Sequence, residues 1–435
     1  MADVQPLQGI RYVPEAISDL AEVVTPPFDV ISAEAQTRYY ERNPYNMIRL
    51  ELGQVFPDDT TLNNRYTRAA KTLAEWRMQG ILRQDTTPGY YLYQQTFAHG
   101  GNSYTRTGLV ARVRLASWSE RVVLPHEHTL SKPKDDRLKL MRACATNFSP
   151  LMSLYDDPQG RMRRLLSAYT QQAGVHVIDE AQEEHHLHPI TDEKQIALIH
   201  DFFAERQLYI ADGHHRYETA LNYREEVREQ RRHLEPDDAA NFVMMTLIDV
   251  DDPGLLVLPT HRLLFDLDEH RLQGISAESL ARYFTVREPA MTGNNEALPQ
   301  QLAQAGERAP AFIVHTAEHV WLLSLNEQGA AHMAESEHSS AWNTLDVAIV
   351  QRLVLEELLG LSAADITAGT HTRYTHDTQE ALQAITKGQA QAVILLNATP
   401  IRQVCDVAQA DDRMPQKSTY LYPKLLTGLV MNPLW

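Results

Sequence analysis

The stretch Leu208-Tyr209-Ile210-Ala211-Asp212-Gly213-His214-His215-Arg216-Tyr217-Glu218-Thr219-Ala220 gathers a carboxylate, two imidazoles and a guanidinium in one turn. That set suits anion chemistry. An apolar run stopped by Asp212-Gly213 and followed by helix-forming residues predicts strand, tight turn and helix. The N–H groups and dipole at a helix start favour an anion. Arg216 adds a planar fork that matches phosphate or carboxylate. Asp212 is placed to hold a metal ion, orient a histidine or take a proton. The plain alternative is a surface turn with an Asx motif and solvated histidines. Adjacent residues diverge by about 100° on a helix, so His214 and His215 do not readily chelate one ion. One histidine is expected to face a ligand while the other packs.

Three further stretches carry chemistry. Leu124-Pro125-His126-Glu127-His128-Thr129-Leu130-Ser131-Lys132-Pro133-Lys134-Asp135-Asp136-Arg137 combines acid, base and cation in a proline-stiffened segment. His126 and Glu127 are candidate general acid–base groups, and Lys134 and Arg137 candidate phosphate partners. Arg142 and Asn147-Phe148-Ser149-Pro150 extend the block. In Pro259-Thr260-His261-Arg262 a histidine and an arginine interrupt an apolar strand, where burial without partners is costly; a strand-end site explains them. Lys417-Ser418-Thr419 with Lys424 looks like the end of a phosphate loop but lacks the glycines before it, so it is not a Walker motif. The nucleophile elbow, dinucleotide and zincin motifs are absent. The run Glu183-Glu184-His185-His186-Leu187-His188 alternates faces on a strand and reads as solvated rather than as a metal site.

Stepping from these residues to the elements that hold them, residues 46–52 read as a strand and 61–79 as a helix capped by Gly80. Residues 89–97 and 104–113 read as a hairpin. Residues 122–155 read as irregular with one helix near 134–145. Strands are expected at 175–179, 242–250, 256–264, 311–315, 320–325 and 392–396, and helices at 192–205, 276–284, 296–306, 341–359 and 401–410. The predicted class is α+β, a mixed sheet with an additional α/β segment in the C-terminal half. A division at 1–265 (nucleotide-binding core), 266–335 (accessory α/β segment) and 336–435 (a region returning to the core) follows from 435 residues at roughly 150 per domain.

Composition removes several classes. The chain is 43% hydrophobic and 22% charged, and its net charge of −17 repels nucleic acid and anionic membrane. Two cysteines, Cys144 and Cys405, exclude a disulfide framework and fit a reducing cytoplasm. No signal peptide or apolar run of about 18 residues is present, so no membrane partner is expected.

Taken together, Thr25-Pro26-Pro27-Phe28-Asp29-Val30-Ile31, Leu124-Pro125-His126-Glu127 with Lys134 to Arg137, residues 147–150, 211–220, 259–262 and 414–424 resemble the bacterial family called domain of unknown function 1015, nearly end to end. More distantly, Asp212-Gly213-x-His215-Arg216 followed by Ala220 resembles the phosphate-binding box of the ParB/sulfiredoxin-like fold, whose members include CTP-hydrolysing partition proteins, sulfiredoxin and free serine kinases. The acidic charge and the missing helix-turn-helix argue against a partition role, and no reactive cysteine flanks the turn as in sulfiredoxin.

The resemblance implies a small-molecule phosphotransferase acting from a nucleotide to a hydroxyl, free serine being one such acceptor. Asp212, Gly213, His215 and Arg216 would hold the phosphates of ATP, ADP or CTP with Mg2+, Asp212 being the metal ligand. His126 or Glu127 would take the hydroxyl proton. Lys134 and Lys417 would neutralise developing charge. His214, Arg137, His261, Arg262, Ser418 and Lys424 complete the expected binding set. Two alternatives stand beside it: a nucleotide-binding switch without metabolic chemistry, and a metal-dependent hydrolase using His126, His214, His215 or His261. As a surface residue, Arg216 is expected to be replaceable by alanine with loss of ligand and little change in melting temperature.

Overall fold

The computed structural model describes residues 1–129, 131–170, 172, 174–290 and 297–435, with Ser131, Lys132 and Pro133 through their backbone alone. The chain forms two compact units. The first takes residues 1–125, 129–256 and 423–435; the second takes 126–128 and 257–422. Both mix helices with mixed or antiparallel sheet, as the α+β class requires.

In the first unit a nine-stranded sheet runs, from edge to edge, through Val123–Leu124, Leu208–Asp212, Leu151–Tyr155, Phe242–Asp249, Asn102–Arg114, Tyr90–His99, Glu184–Ile190 and Val175–Ile178, with Val4–Gln5 pairing beside Asn102–Arg114. Every residue of Phe242–Asp249 is buried, as its uninterrupted apolar sequence predicts for a central strand. The hairpin expected from residues 89–113 is present, with His99 paired to Asn102. Val243, Met245 and Leu247 share one core with Leu151, Leu208, Ile210, Tyr217 and Ala220. The helix His214–Arg231 is therefore anchored to the sheet by its own first turns, and the helix Ser131–Cys144 packs along it.

One irregularity positions the site. Leu208–Asp212 pairs antiparallel with Leu151–Tyr155, and the register shifts between Ile210 and Asp212. The extra residue, Ala211, is a bulge, which bends a strand and re-aims the side chains after it. Asp212, paired with Met152, is the last residue of the ladder before the turn begins.

The second unit is built on a six-stranded sheet in the order Phe284–Arg287, Val320–Leu325, Ala311–Thr316, Ala392–Leu396, His261–Leu264 and Thr372–Thr375. Its central strands are buried on both faces. Phe312, Val314, Ile394 and Leu396 enter one core, while Ala311, Ile313, Val393 and Leu395 enter the other. Period-two alternation of this kind turns a continuous apolar run into two half-cores.

Three expectations need correction. Residues 46–52 are not a strand but hold the short helix Ile48–Glu51. Asn46 accepts the Ile48 N–H at 2.9 Å and donates to the Glu22 carbonyl at 2.6 Å, which turns the chain before it can extend. Residues 122–155 are more regular than expected, with the buried strand Leu151–Tyr155 following the helix. The helix over 341–359 divides into Ser340–Asn343, Asp346–Ile349 and a wide-turned π segment, Val350–Leu358. The first residue of the helix expected over 296–306 lies outside the described residues, and Leu298–Gly306 is helical. Among the described residues no helix is long and apolar enough to cross a membrane.

Candidate functional site

The predicted strand, turn and helix are Leu208–Asp212, Gly213 and His214–Arg231. Gly213 has φ +99°, and a Cβ there would sit 3.0 Å from Nε and Nη2 of Arg216. The backbone conformation and the packing both demand glycine. Gly213 also supplies no side-chain cap to the helix. Gly213→Ala is expected to cost about 1–3 kcal/mol in urea unfolding and to weaken any anion held by the turn. Equal stability and affinity in that variant would show that the turn tolerates a side chain.

Asp212 lies between two cations. One carboxylate oxygen accepts from Arg216 Nη2 at 2.6 Å and the other from the Lys424 ammonium. Burial by itself pushes this carboxyl up, but Lys424, Arg216 and His214 outweigh it and hold it well below the ordinary carboxylate range. It is therefore ionised at neutral pH. Arg216 spends its other Nη on the Pro150 carbonyl at 2.6 Å and the Ser149 hydroxyl at 3.2 Å. Ser149 donates onward to Glu51 at 3.0 Å, and Glu51 lies 3.3 Å from Arg137. Arg216 is 9% exposed, so this network is internal rather than a solvated turn.

Arg137 is buried too. Its guanidinium lies over the Phe28 ring at 3.9 Å and donates to the Glu51 carbonyl at 3.0 Å and to Asp136 at 2.8 Å. A cavity of about 40 Å³ lies between Arg137 and Arg216, lined also by Glu51, Asn147, Ser149 and Thr219. It has room for about two waters, not for a nucleotide. Lys134 projects from the helix Ser131–Cys144 to Glu218 at 2.7 Å, and Thr129 donates to the same oxygen at 2.6 Å. Burial alone would raise Glu218, yet the Lys134 and Thr129 bonds bring its carboxyl below the usual range. His214 is buried and His215 half-buried.

The other expected residues belong to the second unit. His126 is buried; its carbonyl accepts the Met414 N–H at 2.7 Å and its Nε2 lies 3.4 Å from the Thr419 hydroxyl. Glu127 accepts the Lys417 N–H at 3.1 Å, and Thr399 donates to the Ser418 carbonyl at 3.3 Å. His126, Glu127, Lys417 and Ser418 thus share one locality. His261 is buried at the start of its strand. Nδ1 accepts the Leu396 N–H at 3.1 Å, which makes Nε2 the protonated nitrogen beside Thr378 at 3.0 Å. Burial pushes this histidine down to about 4, so it is neutral at pH 7. A cavity of about 140 Å³ lies against it, lined by Pro259, Thr378, Asn397 and Leu302. Arg262 is buried, pushed down by burial to about 10, with Tyr374 5.3 Å from its guanidinium.

Sequence reasoning gave no role to Glu51 or Glu218, and it placed Ser149 beside the 124–137 block without finding its partners Arg216 and Glu51. Glu218 sits one turn after His214, a spacing that could have found it. The distant Glu51 left no local signal. The solvated reading of residues 183–188 also needs correction, because His185 is fully buried while His186 is exposed and its ring stacks on that of His176 at 4.3 Å. Among the described residues, the groups of three or more His, Cys, Asp or Glu side chains close enough to share an ion are Asp179, Glu183, His185 and His176, Glu184, His186. Neither includes His126, His214, His215 or His261.

Both oxygens of Asp212 hold cations, so a Mg2+ ion bound directly by Asp212 does not fit this arrangement unless Lys424 withdraws.

Residues 4–348 match the family described as "Protein of unknown function (DUF1015)". No curated protein matches the chain. Among solved structures, a conserved hypothetical protein from Pyrococcus furiosus is similar with a TM-score of 0.34 and 14% identity, over 71% of this chain and 92% of that one. A free serine kinase in complex with AMP is similar with a TM-score of 0.35 and 11% identity, over 71% and 89%. SbnI with C-terminal truncation, from Staphylococcus aureus, gives 0.34 and 10% over 75% and 87%. These values carry no argument about this chain's chemistry.

Proposed function

The chain belongs to the DUF1015 family, and from the geometry of its 212–216 turn we propose that it is a nucleotide-dependent phosphotransferase acting on a small hydroxylated metabolite. The observation that carries this reading is the convergence of Arg216 and Lys424 on Asp212 at the start of the helix His214–Arg231. Phosphoryl transfer asks the protein chiefly for positioning and for charge to stabilise the transferring group. Here a helix start, a guanidinium fixed from two sides and an ammonium are held together around Asp212, whose carboxylate offsets part of their charge. An incoming phosphate would compete for the Lys424 ammonium, while Arg216 stays fixed by Pro150 and Ser149. The motif-level likeness of this turn to the ParB/sulfiredoxin-like phosphate box supports the same reading. Mg2+ arriving with the nucleotide would neutralise phosphate charge. Free serine is the first acceptor to test.

Calorimetry with ATP, ADP and CTP, with and without Mg2+, is expected to give micromolar binding of at least one. The Arg216→Lys variant is expected to bind at least tenfold more weakly, since a point charge replaces a fork. Mass spectrometry of serine and related hydroxy compounds after incubation then seeks a phosphorylated product. Absence of binding by all three nucleotides overturns the reading. Binding without any product would favour a nucleotide-operated switch.

A further inference from the structure

We propose that Asp179, Glu183 and His185 form a binding site for a divalent first-row transition-metal ion, Mn2+ or Zn2+, independent of the phosphate turn. Their ligand atoms lie within 4.8 Å of one another. Ligands held on one ion at about 2.1 Å sit roughly 3–3.5 Å apart, so the trio needs to close by about an ångström.

The donors are oriented by bonds that leave the coordinating atoms toward one another. His185 is fully buried, and its Nδ1 is 2.8 Å from the Tyr93 hydroxyl. Its Nε2 is buried and makes no hydrogen bond, although Asp179 Oδ2 lies 3.4 Å away. A buried imidazole nitrogen facing a carboxylate without an aligned hydrogen bond is a costly arrangement that a cation between the two would resolve. A histidine held through one ring nitrogen and open at the other is also how metal-binding imidazoles are oriented. Asp179 accepts the Ala181 and Glu183 N–H groups through Oδ1, both at 2.9 Å, leaving Oδ2 toward His185. Glu183 accepts from Gln95 through Oε2 at 2.7 Å, leaving Oε1. Gln95 in turn contacts Arg106. The turn carrying Asp179 is pinned by Glu180 to Tyr39 and Arg42. The Asp179 side chain is 15% exposed, which gives an ion a way in. One imidazole with two carboxylates suits Mn2+ or Zn2+ better than Mg2+ or Ca2+, which prefer oxygen alone.

The strand pairing explains why sequence alternation missed this site. His185 faces inward on the strand Glu184–Ile190, and the turn after Val175–Ile178 brings Asp179 back over it. The outward face carries the second trio, His176, Glu184 and His186, which must be removed before the inner site is measured.

The test uses full-length protein stripped with EDTA and carrying His176→Ala and His186→Ala. Titration with Mn2+ and with Zn2+ is expected to show one bound equivalent of at least one of them, and Co2+ to give visible absorption bands of a nitrogen- and oxygen-bound ion. Adding Glu183→Gln or Asp179→Asn, each nearly isosteric and checked for an unchanged circular dichroism spectrum, is expected to weaken binding at least tenfold. Tyr93→Phe is expected to weaken it less. The proposal is overturned if neither Mn2+ nor Zn2+ binds the double variant, or if both carboxylate variants bind as it does. Nucleotide binding is measured separately, so either proposal can fail alone.

Discussion

Arg216→Ala is expected to abolish nucleotide binding and to destabilise the first unit by about 3 kcal/mol, near the low end for breaking a buried ion pair. The guanidinium has three partners, Asp212, Pro150 and Ser149. Its loss leaves a buried carbonyl and a hydroxyl without their donor. Lys424 stays on Asp212, which keeps the carboxylate compensated and holds the cost near that low end. Read as a surface residue, Arg216 would be replaceable with little change in melting temperature; its burial reverses that expectation. Urea unfolding of Arg216→Ala measures the stability effect. Calorimetry on Arg216→Lys, which keeps a charge and more of the packing, separates lost binding from lost folding. Wild-type stability in Arg216→Ala would show that the network contributes little.

Asp212→Asn is expected to have the largest pH signature. The carboxyl is depressed in the folded protein because Lys424 and Arg216 outweigh the upward push of burial. A depressed acid contributes stability that is fully present above its unfolded value of about 3.9 and is lost as pH falls from there toward the folded value. At pH 7 the amide leaves two buried cations facing a neutral group, a loss of about 3–5 kcal/mol. Below about pH 4 wild type begins to lose what the variant never had, so the two unfolding free energies converge. Denaturant melts at pH 7 and pH 3 measure this. A constant gap across that range would assign the lost stability to something other than this charge.

Much of the molecule could be read locally. The strand–turn–helix at residues 208–231, the hairpin at 90–113 and the buried strands Phe242–Asp249 and Ala392–Leu396 follow from apolar runs and turn residues that act over a few positions. Residues 46–52 misled because an alternating pattern was overridden by the side-chain bonds of Asn46. Lys134 lies as a cation beside the anion turn, yet its partner Glu218 depends on how two helices pack.

The sequence by itself determined that an acid, a glycine and an arginine meet at a helix start, because strand, turn and helix are set by neighbouring residues. It also determined an acidic chain without a disulfide framework. Only the tertiary structure decided what those residues touch. The bulge at Ala211 re-aims Asp212, and Lys424, 212 positions further along, supplies its second cation. Ser149 and Pro150 turn Arg216 from a solvated fork into a buried one. The inward trio of Asp179, Glu183 and His185 likewise exists only once strand and turn are folded together. Local pattern fixes element type through short-range sterics, whereas burial and charge pairing depend on segments distant in the chain, and those set the properties of the site.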